Sequence, residues 1–120
     1  MNAQHKLAPA FVLMKAFTNA CVALGVTPKE KAKIIGVNPS TLLRNNASGF
    51  SPDSKTGELQ LQMVRLYRSL HAIAGGDRAF MCHWYRTDNH ALNGNPATLC
   101  QSIVGLLATN EYLDAMRGKV

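Results

Sequence analysis

Apolar residues recur along the chain every three or four positions, which is the spacing that places side chains on one face of a helix. A first such face lies between Pro9 and Gly25 and consists of Phe11, Met14, Phe17, Cys21 and Leu24. A second, from about Glu58 to Ala74, consists of Leu59, Met63, Leu66, Tyr67, Leu70 and Ile73. The sequence lacks the runs of alternating β-branched and aromatic residues that indicate strands. The chain is therefore predicted to be all-α.

Short polar segments in the front half predict where two further helices begin. Thr27 stands before Pro28 and Asn38 before Pro39. Such side chains accept hydrogen bonds from free backbone N–H groups, and proline suits the first helical position. These two short helices enclose a turn at "GVN", and the second is expected to run to about Ala47.

The back half is predicted to hold three shorter helices. Asp77 is expected to cap a helix that carries Phe80, Met81, Trp84 and Tyr85. Asn95 with Pro96 is expected to open another helix. Gly105 is expected to separate that helix from a last one, which ends near Met116.

Composition and charge suggest a compact protein with a polyanionic partner. Hydrophobic residues make up 47% of the 120 residues, which is enough to bury a core, and charged residues make up only 17%. The net charge is +6, and residues 1–57 carry seven Lys/Arg against two acidic residues. The excess charge therefore lies mainly in the front half, where a nucleic-acid partner would be expected.

The cysteines and the apolar start of the chain indicate a cytoplasmic protein that is not embedded in a membrane. Cys21, Cys82 and Cys100 are an odd number at wide spacing, which suits a reducing compartment better than a disulfide framework. The longest apolar stretch near the start is interrupted by Pro9 and Lys15, so it is too short to span a bilayer and is not typical of a signal peptide.

The segment "PKEKAKIIGVNPSTLLRNN" predicts a helix-turn-helix of the DNA-binding kind. Ala32 is small where the two helices cross, and Gly36 lies in the turn. Val37 and Leu42 are the apolar residues that pack between the two helices. The lysines of the first helix and the polar face of the second are the predicted DNA contacts, namely Lys29, Lys31, Asn38, Ser40, Thr41, Arg44 and Asn45. The alternative is an ordinary helical hairpin with solvated lysines. With this motif, residues 10–70 resemble the Xre/Cro family of bacterial and phage regulators.

The segment "CHWYRTDNHALNGNP" favours a structural corner over a chemical site. Cys82 and His83 are adjacent on a helix and project in different directions, so they cannot share a zinc ion or form a nucleophile–base pair. The sequence contains no nucleotide-binding loop. We therefore expect no metal, no cofactor and no enzymatic activity. Trp84 is expected to bury most of its ring, Leu92 to point inward, and Asn89 and Gly94 to shape the turn.

The same segment begins a series that resembles the C-terminal toxin-binding domain of the Xre/MbcA/ParS antitoxins. The resemblance covers residues 77–118 and is carried by Trp84, Asn89, Leu92, Gly94, Pro96, Leu99 and Gly105. The sequence departs from the pattern at Tyr85, Cys100 and Ser102, which replace the usual Leu, Leu and Thr. Its Gly-to-Pro spacing is one residue shorter than usual, and the tail beyond Leu113 is short by a residue.

The resemblance implies a type II antitoxin with two parts, a helix-turn-helix domain at residues 1–74 and a toxin-binding domain at residues 75–120. One implied partner is a RES-domain toxin that attacks NAD, and the antitoxin would cover the active site of this toxin. The other implied partner is promoter DNA, which the antitoxin would bind as a homodimer to repress its own operon. Leu106, Leu113 and Met116 would pack inward while the chain end projects toward the toxin. The implied toxin-binding residues are Leu113, Met116, Arg117, Gly118, Lys119 and Val120.

Two other function classes remain open at this point. A helix-turn-helix transcription regulator whose C-terminal helices only dimerise would bind DNA without a toxin partner. A small metal- or nucleotide-dependent enzyme would show bound zinc or turnover.

Overall fold

The computed structural model describes residues 8–118, which fold into seven helices and no strand. The helices are α1 (Pro9–Leu24), α2 (Pro28–Ile34), α3 (Pro39–Asn45), α4 (Lys55–Ala74), α5 (Arg78–Arg86), α6 (Pro96–Leu99) and α7 (Ile103–Met116). An isolated antiparallel bridge joins Asn89 and Gly94. The prediction of an all-α fold is confirmed.

Four helices begin at the polar side chains that the sequence pointed to. The side chain of Asn38 accepts a hydrogen bond from the Thr41 N–H at 2.8 Å. Thr27, Asp77 and Asn95 cap α2, α5 and α6 in the same way. These starts are well predicted because each depends only on residues within one turn.

The C-terminal end of α3 and the start of α4 differ slightly from the predictions. Helix α3 ends at Asn45 and not at Ala47. Helix α4 begins at Lys55, three residues before Glu58, because the Ser54 hydroxyl accepts a hydrogen bond from the Gly57 N–H. Lys55, Thr56 and Gly57 thus form the first turn of α4, ahead of the predicted start.

The prediction that Gly105 separates two helices is wrong. Ser102 caps α7 by accepting a hydrogen bond from the Gly105 N–H, so Gly105 lies inside the first turn of that helix. A Cβ atom at Gly105 would overlap the backbone carbonyl of Leu99. The glycine is therefore needed for close approach between α7 and the end of α6, and not as a break in the helix.

One hydrophobic core extends from α1 to α7, with α4 at its centre. Helix α4 packs against α1, α5 and α7, and its Met63, Leu66 and Leu70 are fully buried. Phe17 of α1 and Leu106 of α7 are likewise 0% exposed. Helix α4 therefore supports both the front and the back of the chain.

Helices α4 and α7 run parallel to each other. Asn110 donates to the Gln62 carbonyl at 3.0 Å, and one turn further along both helices Arg65 pairs with Asp114. Two turns from the first contact, Arg117 donates to the Ser69 hydroxyl at 3.0 Å. Residue numbers thus increase in the same direction along the two helices. The chain returns to the starting end of α4 through α5 and α6, which lie between the two parallel helices in sequence.

Candidate DNA- and partner-binding surfaces

Helices α2 and α3 enclose a turn in which the predicted residues take the expected places. Ala32 is 1% exposed and Leu42 6% exposed, while Val37 is half-buried against the same core. Gly36 has a φ of 72°, in the left-handed region that glycine adopts without strain. The two helices are thus anchored to the core by their small and apolar residues.

The predicted DNA contacts on α3 form one polar face that is ordered by local hydrogen bonds. The Asn38 side-chain oxygen accepts from the Ser40 hydroxyl at 2.7 Å as well as from the Thr41 N–H. Arg44 donates to the Thr41 hydroxyl at 3.2 Å, and Asn45 donates to the Thr41 carbonyl. Asn38, Ser40 and Arg44 are exposed, and Thr41 and Asn45 are half-buried. The exposed Arg44 guanidinium is therefore held in place on an accessible helix face.

The two predicted lysine contacts on α2 lie in different surroundings. Lys29 is exposed. Lys31 is half-buried, with its Nζ atom 5.8 Å from the centre of the Phe17 ring, which is within range of a cation–π interaction. Lys31 therefore contacts the core as well as solvent, and Lys29 is the more accessible of the two.

A two-bond ion pair, not anticipated from the sequence, joins α5 to the start of α2. Arg86 donates to both carboxylate oxygens of Glu30, at 2.5 and 2.6 Å, and also to the Gly25 carbonyl. Glu30 completes the cap of α2 by accepting from the Thr27 N–H at 2.9 Å. The hydrogen bonds from Arg86 are the main reason that the pKa of Glu30 falls to about 2.

The corner formed by "CHWYRTDNHALNGNP" is anchored by the fully buried Tyr85, and Trp84 packs beside it against the same core. Tyr85 is 1% exposed and Met81, one turn earlier, is 2% exposed, so these two residues define the inward face of α5. Trp84 lies at the edge of that face and is partly buried. Its ring stacks on Tyr112 of α7, with centroids 6.4 Å apart and planes 15° apart.

Asparagine side chains shape the turn that follows α5. The Asn89 side chain accepts from the Leu92 N–H at 3.2 Å, and Asn95 donates to the Arg86 carbonyl at 2.6 Å. The left-handed residue of the turn is Asn93, with a φ of 56°, and Gly94 closes the turn by pairing with Asn89. Asparagine tolerates this conformation better than most residues with a side chain.

The residues that carry the resemblance to the antitoxins come together around this turn. Gly94 faces the side chain of Leu99, where an added Cβ would lie 3.3 Å from the nearest leucine carbon. Pro96 is buried, whereas Leu92 and Leu99 are half-buried, so Leu92 points inward only in part. Together with Trp84, Asn89 and Gly105, these residues form the junction between α5, α6 and α7.

The cysteines are packing residues in this structure. Burial raises the pKa of the Cys21 thiol to about 12 and that of Cys100 to about 11. Cys82 donates to the Ala23 carbonyl at 3.0 Å. Within residues 8–118, no group of three or more His, Cys, Asp or Glu side chains could hold a metal ion.

Of the two residues predicted to pack inward at the end of α7, Leu113 does so and Met116 does not. Leu113 is fully buried, as Leu106 is, so it contacts the core and not solvent. Met116 is 50% exposed, and the prediction that it packs inward is wrong, because at this end of α7 the side toward the core and α4 carries Leu113 and Arg117 instead. Gly118 is exposed and Arg117 half-buried. Lys119 and Val120 lie outside the described residues.

Comparison with known families identifies the back of the chain. Residues 69–119 match the family model described as the antitoxin Xre/MbcA/ParS C-terminal toxin-binding domain. A comparison with curated proteins finds no match. Across residues 8–118, every helix is too short or too polar to cross a membrane. The matched segment contains the whole of α5, α6 and α7 and the end of α4. The end of α4 and helices α5 to α7 are therefore similar to the toxin-binding domain of the Xre/MbcA/ParS antitoxins.

Proposed function

We propose that this protein is a type II antitoxin that neutralises a RES-domain, NAD-targeting toxin by covering its active site and represses its own operon by binding promoter DNA. The observation that carries the proposal is the match of residues 69–119 to a toxin-binding domain. The exposed end of α7, with Met116 and Gly118, supports a role for the chain terminus in covering the toxin.

The DNA-binding part of the proposal is supported by the geometry of α2 and α3. Their turn, their buried Ala32 and Leu42, and the exposed polar face with Arg44 are what a helix-turn-helix requires. On this proposal residues 1–74 bind DNA as a homodimer and residues 75–120 bind the toxin in the cytoplasm.

Inhibition on this proposal occurs by binding and not by chemistry. The raised pKa values of Cys21 and Cys100 keep both thiols protonated at neutral pH, so neither is a ready nucleophile. A covering antitoxin needs only shape and charge complementarity to the toxin surface.

Co-expression with the product of the adjoining gene tests this proposal. The wild-type chain should form a stable complex and restore growth, and a chain truncated after Leu113 should bind promoter DNA but fail to protect. Full protection by the truncated chain would show that the terminus does not cover the active site. Absence of a complex and of rescue by the full chain would refute the antitoxin function.

A transcription regulator that self-associates through its back half is the second candidate, and an exposed apolar surface favours it. Ile103 is 61% exposed, Val104 80% and Leu107 43%, so one side of α7 could pair with a second copy. Promoter binding without toxin rescue, together with loss of the dimer in Val104→Asp on analytical ultracentrifugation, would select this candidate.

A further inference from the structure

A groove with two chemically different halves runs along the parallel helices α4 and α7. Its first half has a volume of about 520 Å³ and apolar walls from Leu59, Leu61, Ile103 and Leu107, with Lys55, Glu58 and Gln62 at the rim. Its second half, about 770 Å³, is lined by Arg65, Arg68 and Arg117 with Val64, Ser69 and Asp114. Leu61 lines both halves, so they form one continuous surface, which we call the α4–α7 groove.

The second half of the α4–α7 groove has an excess of positive charge. Its three arginines face one carboxylate, that of Asp114, which pairs with Arg65. Arg117 donates to the neutral Ser69 hydroxyl. Arg68 is exposed and has no acidic partner within residues 8–118. This half is therefore complementary to a group that carries more than one negative charge.

The first half offers apolar side chains that lack partners in the fold. Leu61 is 56% exposed and Ile103 61% exposed, although both lie beside a groove deep enough to receive a side chain. Neighbouring apolar pockets and arginines are typical of protein–protein interfaces. A nucleic-acid backbone would use the arginines but leave the apolar half empty, so the surface fits a protein better than DNA.

A second copy of the chain is a poor occupant of the whole groove. A two-fold pairing centred on Leu61 would place the three arginines of each copy against the apolar half of the other, whose one lining carboxylate, Glu58, already pairs with Lys55. A pairing centred on Ile103 and Leu107 would leave the arginines without a carboxylate. Only a partner that combines apolar and acidic side chains satisfies both halves.

We propose that the α4–α7 groove is a docking surface for an amphipathic, acidic segment of the partner toxin. Apolar side chains of that segment enter beside Leu61 and Leu107, and its carboxylates reach Arg65, Arg68 and Arg117. This inference rests on the proposed antitoxin function, and it extends the toxin-binding surface to the part of α4 that precedes residue 69, where the family match begins. Ser69 then acts by holding the Arg117 guanidinium at the edge of the groove.

Calorimetric binding to the purified product of the adjoining gene tests the inference with matched variants of the full chain. Leu61→Asp and Arg68→Glu change the two halves of the groove at exposed positions. Val12→Asp and Lys15→Glu make the same changes at exposed positions on α1. Circular dichroism and urea unfolding confirm that all four variants are folded before binding is measured.

The inference predicts that Leu61→Asp and Arg68→Glu each raise the Kd at least tenfold, whereas the α1 variants change it less than threefold. The affinity of the wild-type chain should also fall with added salt, and that of Arg68→Glu should fall less. Unchanged affinity in both groove variants would overturn the inference while the antitoxin function stands. Failure of the wild-type chain to bind would overturn both. A groove variant that instead changes only the oligomeric state or the promoter affinity would assign the groove to self-association or to DNA, and would also overturn the inference.

Discussion

Removing the ion pair between Arg86 and Glu30 should destabilise the whole described fold, because this pair joins α5 to the start of α2. The Glu30 side chain is 19% exposed and that of Arg86 38% exposed. The lowering of the Glu30 pKa from 4.5 to about 2 would correspond to about 3 kcal/mol if solvent did not screen it. Since both groups are partly exposed, we expect a coupling free energy of about 1–2 kcal/mol.

A double-mutant cycle with Glu30→Gln and Arg86→Ala measures this coupling by urea unfolding at pH 7. The glutamine keeps an oxygen that can accept from the Thr27 N–H, so the cycle isolates the ion pair from the cap. Lys55 and Glu58 provide the matched control, since their side chains are 96% and 57% exposed and 3.6 Å apart. The control cycle should give a coupling of about 0.3 kcal/mol.

The pair also predicts how stability depends on pH. The pKa of Glu30 is lower in the folded chain than in the unfolded chain, so its contribution is complete above about pH 5 and is lost as the pH falls toward 2. The Glu30→Gln variant should therefore lose less stability than the wild type between pH 6 and pH 3. A coupling below about 0.5 kcal/mol, or parallel pH profiles, would refute the role assigned to this pair.

The other predictions concern the corner around α5, the start of α7 and the polar face of α3. Tyr85→Ala should lower the free energy of unfolding by about 3–5 kcal/mol because the ring is buried. Tyr85→Phe should change that free energy by less than about 1 kcal/mol. The reason is that the hydroxyl has only the weak Cys100 thiol beside it and no nitrogen or oxygen partner among the described residues. Trp84→Ala should cost about 1–2 kcal/mol, because its ring is less buried than that of Tyr85 and stacks on one tyrosine. A cost as large as that of Tyr85→Ala in urea unfolding would contradict the assignment of Tyr85 as the anchor. Gly105→Ala should cost about 2 kcal/mol or more by forcing α7 away from Leu99, measurable as a lower unfolding midpoint. Arg44→Ala should weaken promoter binding by about 1–3 kcal/mol in a gel-shift titration and leave toxin binding unchanged; equal promoter affinity would remove Arg44 from the DNA-binding surface.

The local features of this fold could be read from the sequence because they depend on near neighbours. Thr27, Asn38, Asp77 and Asn95 were expected to cap helices and do so. Such caps need only a polar side chain and the free N–H groups two or three residues later. The buried faces of α1 and α4 were predictable for a similar reason, since long helices repeat their spacing over several turns.

Features that depend on distant parts of the chain could not be predicted. Arg86 and Glu30 lie 56 positions apart, and nothing in either neighbourhood indicates the other. Whether Trp84 or Tyr85 is the more deeply buried ring depends on a rotation of about 100° in a short helix, which the pattern of nine residues does not fix. The α4–α7 groove depends on two helices running parallel, a direction that is set by the packing of the elements between them.

The central position of α4 limits how proteins with this fold can exchange their front and back helices during evolution. Met63, Leu66 and Leu70 contribute to one core that includes both the α1 side and the α7 side of the molecule. A chimera that joins the front of this chain to the back of a relative within α4 would have to match side-chain volumes on both sides of that helix. We expect such exchanges to succeed only when α4 is inherited together with the residues of α1 and α7 that touch it. The surfaces of the front helices and of the back helices would then be inherited together, and would change by surface substitution more readily than by recombination.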